Sequence, residues 1–435
     1  MGEEAGELET VELGPATYLH VDPRDDLKTI RTELLIAEPV RAGRNTRLAL
    51  LAQVLERGTR RLPDSRRLSR FVDELYGADF GASVERCGAH QALRLVLETV
   101  DPRFVPDGAV AGGRLRAFLH DVLCDPVLDG GVFPPAALER EKAALATLIA
   151  SVRNDKLAYA QRRCLQVMCA GEPAALSVWG EPEDLPEIDA RGLWEYAQQL
   201  LRQARIDVYV SGHVEAQQCA EAWQGFFDWP RRPRGADCPA AGGAERKAGS
   251  RTLREPVAGH QGWLVLGYRT PIGVAAAGYA SLLLCNQLWG ADAQSRLFRV
   301  VREQEGLCYH IASDLDAAAR LALVSAGIEP SQFEAVTARI GDELERLAAG
   351  QIDARDLASA RRLEQDLLQA LPEDPAALAS FDYRQRLLGS GRTRASLWAS
   401  LAAVTAESVA AAAATLRLDI AYLACPAAAC PEAKS

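Results

Sequence analysis

The chain reads Arg47-Leu-Ala-Leu-Leu-Ala-Gln-Val-Leu-Glu-Arg-Gly-Thr59 and then, one turn and one helix later, Glu74-Leu-Tyr-Gly-Ala78. The first stretch is an almost unbroken apolar run and predicts a helix. Together with its surroundings it predicts the order strand, helix, helix, strand and strand. These predicted elements span residues 29–36, 46–55, 65–75, 80–85 and 92–99.

The same order of elements recurs in the second half of the chain, which indicates an internal repeat. Shifted by 229 residues, Leu68-Ser-Arg-Phe-Val-Asp-Glu-Leu-Tyr-Gly-Ala-Asp-Phe80 lies on Leu297-Phe-Arg-Val-Val-Arg-Glu-Gln-Glu-Gly-Leu-Cys-Tyr309, with Leu, Arg, Val, Glu and Gly coinciding without a gap. Each half also closes with a predicted strand, at residues 206–212 and 418–424. The repeated elements of the second half span residues 262–268, 275–288, 295–304, 308–314 and 321–328.

A linker is predicted near the middle of the chain. Residues 230–250 are rich in Pro, Gly, Ala and charged residues and have no apolar period. A chain of 435 residues is also too long for one ordinary core. We therefore expect an N-terminal domain at residues 1–229, a linker at 230–254 and a C-terminal domain at 255–435. Each is predicted to be α+β, a mostly antiparallel sheet with helices packed on one face.

Composition and charge exclude some classes of function. Hydrophobic residues make up 48% and charged residues 25% of the chain, as in soluble globular proteins. The net charge of −10 argues against binding to nucleic acid or to an anionic membrane. The acidic N-terminus does not resemble a signal peptide, and no stretch of about 18 apolar residues is free of charge. A cytoplasmic protein is the expectation.

The first stretch resembles the first active-site helix of the pitrilysin (insulinase-like, inverzincin) metallopeptidases. In that family, His-x-x-Glu-His precedes an ending of Lys or Arg followed by Gly-Thr. Here the ending is present as Arg57-Gly58-Thr59, but the five motif positions read Ala49-Leu50-Leu51-Ala52-Gln53. Both histidines and the glutamate are absent, so Ala49, Ala52 and Gln53 are degenerate zinc-motif positions.

The rest of the family's zinc site is also absent from the sequence. Leu138-Glu-Arg-Glu-Lys142 resembles the lead-in to the helix that carries the distal glutamate, yet no acid follows Lys142 until Asp155. No two of the 6 histidines are three to five residues apart. We expect no metal or other cofactor in this chain. An alternative zinc site of four thiolates would need the pairs Cys164/Cys169 and Cys425/Cys430; otherwise the 10 cysteines are reduced and mostly buried.

The second half retains a different family feature. Leu297-Phe298, Arg302-Glu303 and Gly306-Leu307-Cys308-Tyr309 resemble the stretch in which the family holds an arginine and, seven residues later, a tyrosine that contact the substrate. A guanidinium and a phenol there can bond the peptide backbone and a developing oxyanion. The alternative is that Arg302 is a solvated helix residue and Tyr309 a packed strand residue. By the repeat, the first-half equivalents are Asp73 and Phe80, which could not do this chemistry.

The resemblance implies a division of labour between two subunits. A partner with His-x-x-Glu-His would hold the zinc, and this chain, inactive alone, would supply Arg302 and Tyr309 in trans to a peptide substrate. Peptide or leader-peptide processing is the expected process. The alternative is a purely structural or binding member of the family with no part in catalysis. An enzyme of unrelated chemistry lacks support, because the sequence shows no nucleophile–base set.

Overall fold

The structure is a computed structural model of the chain. It describes residues 8–106, 108–230, 250–258 and 261–430, with only the backbone of residues 109–111 and 429. Most of the predicted linker, residues 231–249, lies outside the described residues. The domain boundaries at 229 and 255 therefore stay a prediction.

The first half forms a six-stranded sheet with helices. Its sheet order is β1-β2-β6-β3-β5-β4, and only the pair β2–β6 is parallel. The elements are β1 (Glu9–Gly14), β2 (Thr17–Pro23), β3 (Thr29–Pro39), α1 (Arg44–Leu55), α2 (Ser65–Glu74), β4 (Asp79–Cys87), β5 (His90–Val100), α3 (Gly108–Cys124), α4 (Pro135–Ser151), α5 (Lys156–Met168), α6 (Ala190–Gln203), β6 (Arg205–Gly212) and α7 (Ala216–Trp223).

The second half forms a five-stranded sheet of order β7-β11-β8-β10-β9, in which only β7–β11 is parallel. Two segments, Gln287–Ala291 and Phe298–Gln304, are π-helical. The other elements are β7 (Arg251–Val257), β8 (Gly262–Arg269), α8 (Tyr279–Asn286), β9 (His310–Asp316), β10 (Leu321–Ile328), α9 (Phe333–Ala348), α10 (Ala354–Ala370), α11 (Pro375–Leu387), α12 (Arg394–Ala402), α13 (Ala406–Ala413) and β11 (Arg417–Pro426).

The two sheets have the same topology, which confirms the α+β class and the predicted internal repeat. Strands β2, β6, β3, β5 and β4 correspond in order to β7, β11, β8, β10 and β9, with the parallel pair at the same place. β1 is an additional edge strand of the first sheet. The predicted helix at 275–288 begins later than expected, at Tyr279, and its α-helical part ends at Asn286, where a π-helical turn follows to Ala291.

Short polar side chains explain where several helices begin. Asp64 accepts a hydrogen bond from the amide of Arg67 at the start of α2, and Asp189 does the same for Gly192 at the start of α6. Thr405 and Ser408 form a reciprocal capping box at α13. In the part of the chain that is described, no single helix could cross a membrane, although α12 and α13 pass by length and composition as a pair bent by 103°.

Helix α1 lies inside the first core. Its side chains from Leu48 to Leu55 are buried apart from Gln53, and they pack among residues of the first sheet, α3, α4 and α6. The polar residues at its start are buried as well. Asn45 donates to the carbonyl of Ser177 at 2.8 Å, and Thr46 donates to the carboxylate of Asp184. This helix is therefore core rather than surface.

Each sheet also carries one helix from the other half on its second face. Helix α5 packs its residues Ala160, Cys164 and Met168 against the second sheet, where they meet Val265 and Tyr422. Glu255 of β7 fixes this contact, because it accepts hydrogen bonds from the hydroxyls of Tyr159 and Tyr422 and from the guanidinium of Arg163. The sequence did not reveal this crossing of α5.

Helix α11 makes the reciprocal crossing. Its Ala379 and Tyr383 pack against Leu35 and Tyr209 on the first sheet. The Tyr209 hydroxyl donates to Asp382 of α11 at 2.8 Å. The two halves are consequently held together by exchanged helices, and each helix buries apolar side chains that its own half does not cover.

Candidate functional site

The degenerate zinc-motif positions lie in packed protein. Ala49 and Ala52 of α1 are each only 3% exposed and belong to the first core. Gln53 is partly exposed, and its Oε1 atom is buried with no hydrogen-bond partner among the described residues. An alanine methyl cannot bind a metal, and one amide oxygen is not a zinc site.

The retained Arg57-Gly58-Thr59 ending has a structural role that needs no metal. Gly58 has φ 149°, and a Cβ there would collide with the Leu62 carbonyl oxygen. Thr59 is fully buried and closes the turn, because its amide donates to Leu62 O and the Leu62 amide donates back to Thr59 O. The Arg57 guanidinium donates to Glu141 at 2.7 Å. The turn therefore explains why this ending persists without the motif before it.

Helix α4 uses its acids for structure. Glu141 is buried and pairs with Arg57, and Glu139 accepts from Lys142 at 2.8 Å. The next acid, Asp155, caps α5 by accepting from the amide of Ala158 at 3.0 Å. The face of α4 after Lys142 therefore offers no carboxylate to a metal.

The four-thiolate alternative is wrong for the described structure. Cys164 and Cys169 lie on the α5 side of the second sheet, whereas Cys425 lies in the core on the other side. Burial raises the pKa of the Cys164 thiol to about 12 and that of Cys169 to about 11, which disfavours thiolates. Across the described ranges, no group of three His, Cys, Asp or Glu side chains could hold a metal ion.

Arg302 lies on the π-helical segment Phe298–Gln304 and is exposed. Its guanidinium stacks over the ring of Phe298 at 4.5 Å, and no described residue forms an ion pair or hydrogen bond with it. Its neighbour Arg299, by contrast, pairs with Asp356 at 2.7 Å. The N–H donors of Arg302 are therefore available to a ligand, and π-helical turns are frequent at functional sites.

A tight turn connects Arg302 to Tyr309. Gly306 has φ 61°, a left-handed conformation that favours glycine. The amide of Leu307 then donates back to Val301 O at 3.0 Å. Burial raises the pKa of the Cys308 thiol to about 11, and the nearby Arg302 cation acts in the opposite direction. Arg302 is thus close to the residue that precedes Tyr309.

Tyr309 lies just before β9 and is 42% exposed. Its amide donates to Gly327 O at 3.1 Å, and its ring packs edge-on against Trp263 at 5.7 Å between ring centroids. Burial and the Glu329 carboxylate raise the pKa of the Tyr309 phenol. The phenol is therefore protonated at neutral pH and can donate a hydrogen bond.

The first-half equivalents face other surroundings. Asp73 is an exposed residue of α2. Phe80 of β4 packs against Phe118 at 4.9 Å, on the helix-covered side of its sheet. The ring of Tyr309 instead lies over Gly327, on the opposite side of the second sheet. One turn joins the segments that carry Arg302 and Tyr309, and their roles stay a prediction.

Two neighbours of Tyr309 were missed by reasoning from sequence. Trp263 is the second residue of β8 and distant from Tyr309 in the chain, and nothing in the sequence pairs the two. Gly327 carried a signal that could have been used, because an isolated glycine inside an apolar strand indicates close approach by another group.

Residues 187–364 match a family model described as the peptidase M16 inactive domain. The chain is similar to a Bacillus subtilis (strain 168) protein named probable inactive metalloprotease YmfF. The two are 28% identical over 403 residues, covering 93% of this chain and 94% of that protein.

Solved structures with a similar fold span the whole chain. A conserved protein from Enterococcus faecalis V583 has a TM-score of 0.87 and 25% identity, covering 97% of this chain and 99% of that one. A peptidase M16 inactive domain from Pseudomonas fluorescens has a TM-score of 0.78 and 16% identity, covering 96% and 98%. The second likeness concerns the fold alone.

Proposed function

We propose that this chain, which is similar to the peptidase M16 inactive domain and to a probable inactive metalloprotease, is the non-zinc-binding subunit of a heterodimeric zinc endopeptidase. Its α1 has none of the side chains that would make it a zinc-binding helix. Its partner bears His-x-x-Glu-His and holds the zinc. This chain is inactive alone and supplies Arg302 and Tyr309 to a peptide bound by the partner.

The observation that carries the proposal is that the guanidinium of Arg302 and the phenol of Tyr309 are both accessible to a ligand. Arg302 has no bonding partner within the part of the chain that is described, and Tyr309 exposes 42% of its surface. A packed strand residue would bury its ring, whereas the Tyr309 phenol is half-exposed. Exposure of Arg302 also fits a solvated helix residue, so the support for its role is its place on a π-helical turn, a feature that is frequent at functional sites.

The chemistry follows from the two donors. Arg302 presents several N–H groups in a planar fork, which suits carbonyl oxygens of an extended peptide. The protonated Tyr309 phenol donates one hydrogen bond, which suits the oxyanion that develops when a peptide carbonyl is attacked. A zinc ion held by the His-x-x-Glu-His motif of the partner would activate the attacking water, and Arg302 and Tyr309 of this chain would orient the peptide and stabilise the developing charge.

The substrate class is a peptide, and processing of peptides or leader peptides in the cytoplasm is the proposed context. The net charge of −10 fits a protein that acts on neither nucleic acid nor an anionic membrane. Tyr309 directly precedes β9, which is an edge strand of the second sheet, so an extended peptide would have a strand edge beside the phenol.

The test uses the reconstituted complex with a zinc-bearing M16 subunit. Arg302→Ala and Tyr309→Phe are each expected to lower turnover by on the order of a hundredfold, because one hydrogen bond to a developing oxyanion is worth roughly 2–4 kcal/mol. Peptide hydrolysis is measured, and size-exclusion chromatography confirms that each variant still assembles.

The matched control is Asp73→Ala, which changes the first-half equivalent of Arg302 and should leave turnover unchanged. The second candidate is a structural or binding role without catalysis, which the relative's name, probable inactive metalloprotease, also accommodates. If both site variants assemble and hydrolyse peptide like the unmodified pair, the structural role is the better proposal.

A further inference from the structure

Gly327 lies in the middle of the surface that supports Tyr309. Its neighbours in β10, Ala326 and Ile328, face the helical core of the second half. Because successive residues of a strand point to opposite faces, Gly327 points to the other face, where α5 also lies. The Tyr309 amide donates to the Gly327 carbonyl at 3.1 Å, so the two residues are held in register.

The phenol of Tyr309 occupies the space that a side chain at Gly327 would need. A Cβ built on Gly327 would overlap the Cζ atom of Tyr309 and lie 2.5 Å from both Cε2 and the hydroxyl oxygen. These are the three nearest atoms, and all belong to the phenol. Carbon atoms in contact are normally about 3.5–4.0 Å apart. The ring therefore rests directly on the backbone of β10.

The backbone itself gives no reason for glycine at this position. Gly327 lies within a regular antiparallel pairing with both β8 and β9, and its φ is outside the left-handed region. By strand register the equivalent residue in the first half is Val96, which pairs with Gly81 as Gly327 pairs with His310, and it carries a full side chain. The space occupied by the Tyr309 phenol therefore accounts for a glycine at position 327.

We propose that Gly327 is a positioning residue for Tyr309. Because Gly327 has no side chain, the phenol lies directly against the backbone of β10 beside Trp263, and this contact holds its hydroxyl at the site. This inference rests on the proposed function for the part that the Tyr309 hydroxyl plays in catalysis. The placement of the ring itself follows from the contacts alone. Any larger residue at 327 displaces the hydroxyl and removes its hydrogen bond to substrate.

The geometric part is tested on the chain alone. The Tyr309 resonance of a chain labelled with 3-fluorotyrosine is identified by its loss in Tyr309→Phe. In Gly327→Ala that resonance should shift, and the Tm should fall. In a Tyr309→Ala background the same glycine change should leave Tm unchanged or slightly higher, because the overlapping ring is gone.

Gly81→Ala is the matched control. Gly81 lies in β4, and a Cβ there would meet only Glu56 Oε1 at 3.8 Å, an ordinary contact. This variant should leave the Tyr309 resonance in place. If Gly327→Ala also leaves it in place, or lowers Tm equally with and without the phenol, Gly327 does not position Tyr309 and the proposal is overturned.

The functional part uses the reconstituted complex. Gly327→Ala should lower kcat by on the order of a hundredfold, as expected for Tyr309→Phe, and should add nothing in the Tyr309→Ala background. Full kcat with a shifted resonance would overturn the positioning role. If Tyr309→Phe itself keeps full turnover, the proposed function fails instead, and the resonance still reports whether Gly327 places the ring.

Discussion

In the first half Phe80 enters the core beside Phe118, whereas in the second half Tyr309, at the same point of the repeat, lies on the opposite face of its sheet. The strand order around the two residues is the same. On the face away from the helical core, Gly327 leaves room for the Tyr309 ring, whereas the residue at the matching register position of the first half is Val96. A shared topology thus supports a packed aromatic residue in one half and an accessible one in the other.

A second contrast concerns α1 and the π-helical segment Phe298–Gln304, which are not equivalents in the repeat because α2 is the helix that precedes β4. In the first half, α1 is surrounded by core and its former motif positions are small. In the second half, the helix before β9 is π-helical and presents Arg302 to solvent. Ala49 and Ala52 of the first half are thus packed in the core, whereas Arg302 of the second half is exposed and has no ion pair or hydrogen bond with a described residue.

The largest expected effect concerns metal and activity in the isolated chain. The purified chain should contain no stoichiometric zinc and cleave no peptide, because Ala49, Ala52 and Gln53 replace the motif and no acid follows Lys142 on α4. Mass spectrometry of the metal content and a peptide assay check this. One equivalent of bound zinc, together with peptide cleavage that a chelator inhibits, would contradict this prediction and remove the contrast between the halves.

The second prediction concerns how the halves separate. Limited proteolysis should cut first within residues 231–249, because their composition offers few residues able to bury. The nicked halves should nevertheless elute together in size-exclusion chromatography, since α5 and α11 are each packed on the other half's sheet. A first cut within α4, or separation of the fragments without denaturant, contradicts this prediction.

The third prediction compares an aspartate in β6 with one in β11. Asp207 is fully buried, and burial raises its pKa, but hydrogen bonds from Arg205 and His20 outweigh burial and lower it. Asp419 is more accessible, and Arg269 and Arg251 lower its pKa in the same way against burial. Asp207→Asn should cost about 3–5 kcal/mol and Asp419→Asn about 1.5–3 kcal/mol at neutral pH.

The sign of the pH dependence follows from these lowered pKa values. A carboxyl whose folded pKa is below its unfolded value of about 3.9 stabilises the fold above that pH, and the contribution is lost as pH falls through the folded pKa. Urea unfolding at pH 7 and below pH 4 measures this, with Asp366→Asn on exposed α10 as the control. A difference between Asp207→Asn and the unmodified chain that stays constant on acidification contradicts the prediction.

The smallest effect separates the two aromatic residues by stability. Phe80→Ala should cost roughly 1–3 kcal/mol, because it removes a ring from the first core. Tyr309→Ala should cost less than about 1 kcal/mol, since the ring is half-exposed and its removal opens no closed cavity. Chemical denaturation of both variants checks the order, and a larger cost at Tyr309 would assign it a packing role.

Reasoning from sequence reached the repeat because apolar periodicity and turn residues are local signals. The predicted strand at 321–328 coincides with β10, and that at 206–212 is one residue shorter than β6. The prediction of a helix at 275–288 was less accurate, because the small apolar residues at its start form a turn before α8 begins at Tyr279, and because a π-helical turn follows Asn286. The exchange of α5 and α11 between the halves was not predicted at all, because the apolar face of a helix does not indicate which sheet it packs against.

By itself the sequence determined that the family's zinc ligands are missing, that two halves repeat one order of elements, and that Arg302 and Tyr309 follow the family's spacing. These depend on residue identity and on distance along the chain. Only the tertiary structure decided that α5 and α11 cross between the halves and that the Tyr309 ring rests on Gly327 beside Trp263. Such contacts join residues distant in sequence, and they form because burial of apolar surface rewards the whole packed arrangement rather than any local segment.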